Sequence, residues 1–260
     1  MEVRLDGIVA LITGATQGVG AAIAETAARS GVGWLLITGR DAARGGELAE
    51  RLSDGGVPTA FLAADLADSE APARIVTECL ARFGRVDALV NAAGLTDRAS
   101  VLDADERTWT RLFDVNARAP FFLMQHAIKA MRERGRGGAI VNILSMNAHC
   151  GTPELAVYSA TKAALALLTR NVANAHRWDR IRVNGIAMGW AATPAEVVMQ
   201  AETLGLGAGW IEKAEASLPF GRLLAAQEVA NLAVFLLSDA AGPMTGAIVD
   251  QEQWVAGAKS

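Results

Sequence analysis

The chain has 260 residues and a formal net charge of −4, and its abundant aliphatic residues and few aromatic ones suit an α/β core. This length suffices for one large domain, and the charge, without a basic cluster, argues against nucleic acid as a partner. No apolar run approaches the roughly 18 residues that span a bilayer, and the N-terminus lacks the apolar segment of a secretion signal. The two cysteines, Cys79 and Cys150, have neither disulfide-framework nor metal-site spacing. We therefore expect a reduced, cytoplasmic protein that binds neither a membrane nor a metal.

Short apolar runs alternate with longer segments of helical pattern along nearly the whole chain. Most of these runs are continuously apolar, as strands covered by helices on both faces must be. Segments 20–30, 42–52 and 72–83 between them are long enough for helical crossovers. The alternation predicts an α/β fold with a doubly wound parallel sheet of about seven strands, in a single domain over residues 1–260. The predicted strands are residues 8–13, 34–38, 59–63, 87–91, 138–143, 181–186 and 247–250.

The regular alternation breaks once, between residues 189 and 220. Thr193-Pro194-Ala195 predicts the start of a helix, and the glycine-rich residues 205–209 interrupt it. Insertions after a strand lie at the carboxyl edge of the sheet, where ligands bind. The segment is therefore predicted to be a lid over a substrate, and the alternative is a surface excursion without a role.

A glycine-rich turn follows the first predicted strand and opens the first predicted helix. Glycine adopts positive φ and lets backbone N–H groups approach a diphosphate, whose charge the helix N-terminus also favours. The spacing GxxxGxG differs from the commoner GxGxxG, and a lone turn of this kind is more often an ordinary turn. The strand before it and the helix after it favour a dinucleotide site. The predicted phosphate loop contains Gly14, Thr16, Gln17, Gly18, Val19 and Gly20.

The end of the second predicted strand decides between NAD and NADP, because an acid about 20 residues beyond the glycines binds the ribose hydroxyls in NAD sites. Gly39 stands there in place of the acid, and the guanidinium of Arg40 suits a 2′-phosphate. Asp41 leaves two interpretations open, an ion pair with Arg40 or the N-cap of the next helix. The sequence thus favours NADP(H), with NAD(H) as the alternative.

Tyr158 and Lys162 stand four residues apart, and Ser145 precedes them. Side chains at i and i+4 share a helix face, so both would point at one small molecule if the stretch is helical. A free tyrosine has a pKa near ~10, and lowering it by about 3 requires about 4 kcal/mol. A cation at ~4 Å, in an effective dielectric near 20, supplies roughly that much. Tyr158 is therefore predicted to exchange a proton with substrate in a hydride-transfer enzyme, and the alternative is a surface tyrosine beside a solvated lysine.

Together these motifs resemble the classical short-chain dehydrogenase/reductase family, whose members form a single Rossmann-type domain. The resemblance runs from Gly7 to Asp250. It implies that Tyr158 is the general acid/base and that Ser145 hydrogen-bonds the substrate oxygen. The motifs follow the family order: residues 13–20, Asp65, residues 91–94, Asn116, Ser145, Tyr158 with Lys162, and Gly189 with Thr193.

Further roles follow from the resemblance alone. Lys162 would also hold the nicotinamide ribose hydroxyls, and Asn116 would anchor a water that relays protons to Lys162. A buried polar kink in a helix is the second interpretation of Asn116, and the two are compatible. Gly189 and Thr193 would line and hold the nicotinamide carboxamide, although Thr193 could equally be a helix N-cap.

The adenosine half of the cofactor has its own predicted contacts. Asp65, with Leu66 beside it, would accept a hydrogen bond from the adenine amine, and the alternative for Asp65 is a helix N-cap. A turn after the fourth strand would line the adenosine ribose and brace the sheet. That turn consists of Asn91, Ala92, Ala93 and Gly94.

The chain departs from the family pattern in two places. Residues 188–190 read Met-Gly-Trp where the family has Pro-Gly, and residues 250–254 read Asp-Gln-Glu-Gln-Trp where it has Asp-Gly-Gly. The altered tail is predicted either to reach a neighbouring subunit's active site or to pack on its own domain. His149 is either a substrate contact or an exposed or structural loop residue. The predicted substrate pocket contains Ser145, Asn147, His149, Gly151, Tyr158 and Trp190, with the insertion around Trp210.

Three functions remain in competition. The leading hypothesis is an NADP(H)-preferring oxidoreductase that interconverts a secondary alcohol and a ketone, with a small polyol, sugar or hydroxyketone as substrate. A 3-oxoacyl-[acyl-carrier-protein] reductase is the alternative, disfavoured by the lack of a basic patch. A non-catalytic nucleotide-sensing protein is disfavoured by the intact catalytic residues. Small residues in the predicted helix from Val157 to about Arg177, together with family habit, favour a homotetramer or homodimer; alternatively they pack only against the sheet.

Overall fold

The computed structural model describes residues 2–258, so Met1, Lys259 and Ser260 of the predicted domain lie outside the described residues. Within residues 2–258, seven strands form one parallel sheet in the order β3-β2-β1-β4-β5-β6-β7. Each strand overlaps one of the predicted runs, and the fold class is confirmed. The strands are β1 (Val9–Thr13), β2 (Trp34–Gly39), β3 (Thr59–Ala63), β4 (Ala88–Asn91), β5 (Gly138–Ile143), β6 (Ile181–Met188) and β7 (Ile248–Gln251).

Helices cover both faces of the sheet, which explains why the strands are apolar without alternation. The helices are α1 (Gly18–Arg29), α2 (Ala42–Asp54), α3 (Ala71–Phe83), α4 (Glu106–Phe113), α5 (Ala119–Arg134), α6 (Ala156–His176), α7 (Pro194–Val197), α8 (Trp210–Ala216) and α9 (Ala226–Leu237). In β1, Ile12 packs with α1, α2 and α9 on one face, whereas Leu11 packs with α3, α5 and α6 on the other. Successive side chains of a strand point to opposite faces, so both faces need apolar residues.

The strand order reverses beside β1, whose neighbours are β2 and β4. Such a reversal opens a crevice at the carboxyl ends of the strands. Next to this crevice, buried amides join the middle of the sheet to α6. Asn91 Nδ2 donates to Asn142 Oδ1 at 2.8 Å, and Asn142 Nδ2 donates to Thr169 Oγ1 at 2.9 Å. These bonds fix α6 against β5, so the residues of α6 above them keep a defined position at the crevice.

The insertion folds as the sequence predicts at its first helix. Thr193 caps α7, since its hydroxyl accepts a hydrogen bond from the Glu196 N–H at 3.2 Å. The chain then makes a wide turn over residues 198–203, and the glycine-rich residues 205–209 separate it from α8. Trp210 of α8 is buried, and its ring lies 5.9 Å from that of Trp190, centroid to centroid. The contact therefore joins the start of the insertion to the start of α8.

Two of the open interpretations of acidic residues are decided by hydrogen bonds. Asp41 caps α2, because its carboxylate accepts from the Arg44 N–H at 3.0 Å, and it pairs with Arg44 Nε at 2.5 Å rather than with Arg40. Asp65 does not cap a helix, since α3 begins six residues later, at Ala71. Its carboxylate instead accepts from the Ala67 N–H at 3.0 Å within a tight turn.

Across the part of the chain that the structure describes, no helix combines the length and apolarity needed to cross a membrane. Over the same residues, no group of three His, Cys, Asp or Glu side chains is arranged to hold a metal ion. Cys79 is buried in α3, and burial raises the pKa of its thiol to about 12. A thiol with so high a pKa is unreactive at neutral pH.

Candidate active site

A cavity of about 690 Å³ opens at the carboxyl ends of the central strands. Nearly all of the predicted cofactor residues line it, and so do Ser145, Tyr158 and Lys162. Asn91, Asn116 and His149 do not line it. The predicted residues along its wall are Gly14, Thr16, Gln17, Gly18, Val19, Gly20, Arg40, Asp65, Leu66, Ala92, Ala93, Gly94, Ser145, Asn147, Tyr158, Lys162, Gly189, Trp190 and Thr193.

The glycine loop between β1 and α1 has no room for a side chain at Gly14 or at Gly20. Gly14 has φ +67°, and a Cβ there would lie 2.6 Å from the Cα of Ala93. A Cβ on Gly20 would collide with the carbonyl oxygen of Gly14. The loop thus presses closely on the turn after β4 and on the first turn of α1. The bare backbone leaves N–H groups at the N-terminus of α1 beside the cavity, an arrangement that fits a diphosphate.

The residues at the end of β2 suit the 2′-phosphate of NADP better than the unmodified ribose hydroxyls of NAD. A Cβ on Gly39 would lie 2.5 Å from Thr16 Cγ2, so an acid at this position, where NAD sites carry one, would require the Thr16 side chain to move. Arg40, the next residue, is exposed and lines the cavity. Gln17 is held by a hydrogen bond from Arg44 of α2. The guanidinium of Arg40 is therefore placed to meet an anion at this end.

The side chains predicted to be catalytic meet where β5 ends. Lys162 is buried, and its Nζ donates to the carbonyl of Ile143 at 2.8 Å. The same Nζ lies 5.8 Å from the centroid of the Tyr158 ring, one helical turn away on α6. Ser145 follows β5, and its Oγ accepts from the Asn147 N–H at 3.2 Å. A phenol, an ammonium and a hydroxyl thus face one cavity.

Burial decides the pKa values of both titratable groups. It raises the pKa of Tyr158 to about 12, although the neighbouring Ser145 hydroxyl lowers it, and the charge of Glu196 raises it further. Burial also lowers the pKa of Lys162 to about 8. The expectation that Lys162 brings the phenol's pKa down is wrong for the protein chain by itself, because desolvation of the phenolate dominates. Tyr158 consequently keeps its proton at neutral pH.

Asn116 lies behind the cavity rather than on its wall. It sits in a wide helical turn, residues 114–118, that joins α4 to α5. Its Oδ1 accepts from the Leu95 N–H at 2.8 Å, and its Nδ2 donates to the Leu95 carbonyl at 2.8 Å and to Thr161 Oγ1 at 3.1 Å. Thr161 in turn donates to the carbonyl of Tyr158 at 2.6 Å. Asn116 is the polar kink that the sequence suggested, and it braces α6 beside the catalytic tyrosine.

The substrate end of the cavity differs in part from expectation. Asn147 and Trp190 line it, but the ring of His149 bonds to Asp250 Oδ1 at 2.9 Å, outside the wall. Sequence reasoning missed two carboxylates here. Glu196 and Glu252 both line the cavity, and a Cβ on Gly189 would collide with the carboxylate of Glu252.

The C-terminal tail packs on its own chain. Gln253 Nε2 donates to the carbonyl of Arg222 at 2.7 Å, and Gln253 Oε1 accepts from the Phe220 N–H at 2.8 Å. The tail therefore packs against the chain where the insertion ends, at Phe220 and Arg222. Polar residues replace the two glycines of the family pattern in this tail. That departure is the only feature of the sequence that could have indicated Glu252 as a residue of the cavity wall.

Comparisons with known proteins agree with this geometry. A family model described as enoyl-(acyl carrier protein) reductase matches residues 14–252. The chain is 34% identical to cis-4-hydroxycyclohexanecarboxylate dehydrogenase of Sinomonas cyclohexanicum, with 93% of each chain covered. It is 35% identical to sorbitol dehydrogenase of Cereibacter sphaeroides, over 90% of this chain and 91% of the relative. The crystal structure of L-sorbose reductase from Gluconobacter frateurii, complexed with NADPH and L-sorbose, superposes with a TM-score of 0.93 at 30% identity, covering both chains fully.

The parallel sheet, the glycine loop and the serine, tyrosine and lysine at one cavity define a nucleotide-dependent oxidoreductase. The chain belongs to the short-chain dehydrogenase/reductase family, in its classical form. Members of this family use NAD(P) to interconvert alcohol and carbonyl groups, and the chain is such an enzyme.

Proposed function

We propose that the protein is an NADP(H)-preferring oxidoreductase that interconverts a secondary alcohol and a ketone. The observation that carries the proposal is the convergence of Tyr158, Lys162 and Ser145 on the cavity that the glycine loop also lines. When bound, the nicotinamide cofactor supplies or accepts the hydride at the substrate carbon. The chain's own residues bind the substrate oxygen and move its proton.

Tyr158 is the general acid/base of the proposal. In reduction its hydroxyl donates a proton to the carbonyl oxygen while Ser145 donates a hydrogen bond to the same oxygen, which stabilises the charge that develops there. A pKa raised to about 12 keeps Tyr158 protonated at neutral pH, and the protonated form is the one that reduction requires. Oxidation requires the phenolate, so a positive charge close to the phenol must lower its pKa. Lys162, fixed by Ile143, does not lower that pKa enough in the protein chain by itself, so the charge of an oxidised nicotinamide ring, when bound, would have to add to that of Lys162.

NADP(H) is the proposed cofactor because of the residues at the end of β2. Arg40 offers a guanidinium to a 2′-phosphate, and Gly39 stands where an acid would bind unmodified ribose hydroxyls. The L-sorbose reductase that superposes on the chain was crystallised with NADPH. Asp65, Leu66, Gly189, Thr193 and residues 92–94 are proposed as the remaining cofactor contacts, whereas Asn91 is buried against Asn142 and braces the sheet behind them.

A small polyol, sugar or hydroxyketone is the proposed substrate class. The wall around Tyr158 carries Asn147, Glu196 and Gln200 beside the indole of Trp190. Amide and carboxylate groups bind substrate hydroxyls, and an indole packs on the apolar face of a carbon chain. Sorbitol and L-sorbose, the substrates in the names of two of the similar proteins, belong to the same class.

A 3-oxoacyl-[acyl-carrier-protein] reductase is the second candidate. The description of the matching family model shares with it the acyl-carrier-protein substrate, though not the reaction, and Arg98 and Arg111 lie on the cavity wall where an acidic carrier could approach. Turnover of a 3-oxoacyl thioester at a kcat/KM above that for every polyol and hydroxyketone tested would select this candidate. A nucleotide sensor without catalysis is disfavoured by the convergence of the catalytic side chains.

We also propose that the chain forms one domain whose residues 189–220 act as a substrate lid, and that it works in the cytoplasm as a homotetramer, with a homodimer as the alternative. On α6, Ala163 and Leu167 are exposed on one face while Ala166 is buried against the sheet. The small alanine lets two helices approach closely, and the exposed leucine offers apolar surface to bury, which supports self-association through α6. Light scattering during size-exclusion chromatography measures the oligomeric state.

Tyr158→Phe tests the proposed function. The substitution removes the acidic proton and keeps the ring, so turnover should fall about 10²- to 10⁴-fold while cofactor binding, followed by nicotinamide fluorescence, stays within a few-fold. Arg177→Lys, far from the cavity wall, serves as an unrelated surface control. Turnover that survives in Tyr158→Phe would contradict the proposal, and cofactor binding by the wild type without turnover of any carbonyl would favour the sensor.

A further inference from the structure

The substrate end of the cavity contains a carboxylate held at a fixed position. Glu196 Oε1 accepts hydrogen bonds from Trp190 Nε1 at 2.8 Å and from Gln200 Nε2 at 2.7 Å. Gln200 is buried, and the ring of Trp190 packs on that of Trp210. The two donors, one before Glu196 in the chain and one after it, therefore restrain its carboxylate. Among residues 2–258, no donor bonds to its second oxygen, Oε2.

This carboxylate lies close enough to the catalytic tyrosine to act on it. Glu196 lines the cavity together with Ser145 and Tyr158, and its negative charge raises the pKa of Tyr158. When Ser145 and Tyr158 bind the substrate oxygen, the substrate atoms next to that oxygen are therefore also exposed to the negative charge of Glu196. The other charged side chains on the cavity wall are Arg40, Asp65, Arg98, Arg111, Glu154, Lys162 and Glu252.

A fixed carboxylate accepts hydrogen bonds from hydroxyl groups and repels another carboxylate. A hydrogen bond to an ionised group is stronger than one between neutral groups, whereas two like charges in a partly buried site oppose each other. Glu252 adds a second negative group to the same wall. Neutral substrates with a hydroxyl near the reacting carbon therefore gain affinity here, and substrates with a carboxylate at that position lose it.

We propose that Glu196 is a specificity-determining residue whose Oε2 accepts a hydrogen bond from a substrate hydroxyl beside the reacting carbon, so that the enzyme selects neutral hydroxyketones and vicinal diols over plain ketones and 2-oxo acids. The inference rests on the proposed function, since it assigns a substrate contact to the same cavity. Trp190 and Gln200 act through Glu196 as positioning residues. The alternative is that Glu196 only holds the insertion together.

The test uses Glu196→Gln, in which the amide oxygen can still accept from Trp190 and Gln200. Glu202→Gln is the matched control, because Glu202 lies on the same segment, is exposed and does not line the cavity. Three four-carbon ketones serve as probes: acetoin, butan-2-one and 2-oxobutanoate. Their reduction by NADPH is followed for the wild type and both variants, and thermal unfolding checks that the variants remain folded.

For Glu196→Gln we expect kcat/KM to fall about 10- to 100-fold more for acetoin than for butan-2-one. The 2-oxobutanoate to acetoin ratio of kcat/KM should rise by at least the same factor, because the repulsion is gone. Glu202→Gln should leave all these ratios unchanged. In the reverse reaction, the pH midpoint for oxidation of butane-2,3-diol should move to lower pH in Glu196→Gln, since removing the negative charge lowers the pKa of Tyr158.

An equal loss for acetoin and butan-2-one, without a change in the pH midpoint, would overturn the inference and leave Glu196 as a structural residue. In that case the wild type still reduces ketones, so the proposed function stands. Absence of wild-type turnover with all three ketones and with a hexulose would instead count against the proposed function, and the inference would fall with it.

Discussion

The ammonium of Lys162 donates a hydrogen bond to the carbonyl of Ile143 at 2.8 Å, which ties α6 to the last residue of β5. Both groups are buried, and Ser145 follows two residues later in the chain. The bond fixes the cation one helical turn from Tyr158 and beside the serine. It also keeps a charged group out of water, and its energetic consequence depends on pH.

Lys162 is expected to make the folded protein more stable as the pH rises from 7 to about 9.5. Its folded pKa of about 8 lies below the unfolded value of 10.5, so the unfolded chain binds more protons over this range and stability increases with pH. Integration over these two pKa values gives about 2 kcal/mol across that range. Urea denaturation of the wild type and of Lys162→Met measures the difference in this pH dependence.

All other groups titrate alike in the two proteins, so their contributions cancel in the comparison. The folded pKa of Tyr158 is raised above its unfolded value, so its contribution to the stability of the folded protein is lost only between about pH 10 and 12, above the chosen window. A wild type and a Lys162→Met variant with parallel stability profiles over that window would show that the lysine is not desolvated as the structure indicates.

The strands and the proximity of Tyr158 and Lys162 were predictable because local sequence encodes them. A strand buried on both faces must be continuously apolar, and all seven strands overlap runs chosen by that rule. The four-residue spacing of Tyr158 and Lys162 needs only a helix to bring the two together. Gly14 and Gly20 were predictable for a related reason, since glycine alone tolerates a backbone packed against another backbone.

Most of the features that the sequence did not predict depend on the folded structure rather than on local sequence. His149 was predicted as a possible substrate contact, but β7 brings Asp250 to its ring across 101 positions of the chain. Glu196 was missed for another reason: its bond to Trp190, only six residues earlier, depends on the irregular path of the insertion, which no periodic pattern predicts. The pKa of Tyr158 was predicted to fall, and it rises because burial, which no local pattern reports, outweighs the neighbouring charge.

Asn116→Ala is expected to destabilise the protein by about 2–4 kcal/mol. The substitution leaves the N–H and carbonyl of Leu95 and the hydroxyl of Thr161 short of a buried partner, and each such group costs about 1–3 kcal/mol, partly offset by relaxation. Urea denaturation gives the loss. Asn116→Asp, which can still accept from the Leu95 N–H but cannot donate, should not restore full stability. A change below about 0.5 kcal/mol, which is typical of surface substitutions, would contradict the role of Asn116 as a brace.

Two glycine substitutions should have opposite effects. Gly14→Ala places a Cβ 2.6 Å from the backbone of Ala93 at φ +67°, so we expect a loss of at least about 2 kcal/mol and much weaker cofactor binding. Gly46 lies inside α2, where an added Cβ would meet nothing within 4 Å, and Gly46→Ala should stabilise the helix by about 0.5–1 kcal/mol. Thermal unfolding with and without NADPH separates the two effects. Equal behaviour of the two variants would refute the close approach at Gly14.

Arg40→Ala tests the cofactor preference. The guanidinium is expected to bind the 2′-phosphate through charge-assisted hydrogen bonds, so its removal should weaken NADPH binding about 10- to 100-fold and change NADH binding less than about twofold. Arg44→Ala is the comparison, because Arg44 bonds to Gln17 and Asp41 and does not line the cavity; it should affect both cofactors alike. Fluorescence titration of each variant with each cofactor gives the four affinities. A loss of equal size for NADPH and NADH in Arg40→Ala would show that Arg40 does not read the phosphate, and the preference for NADP(H) would then need another residue.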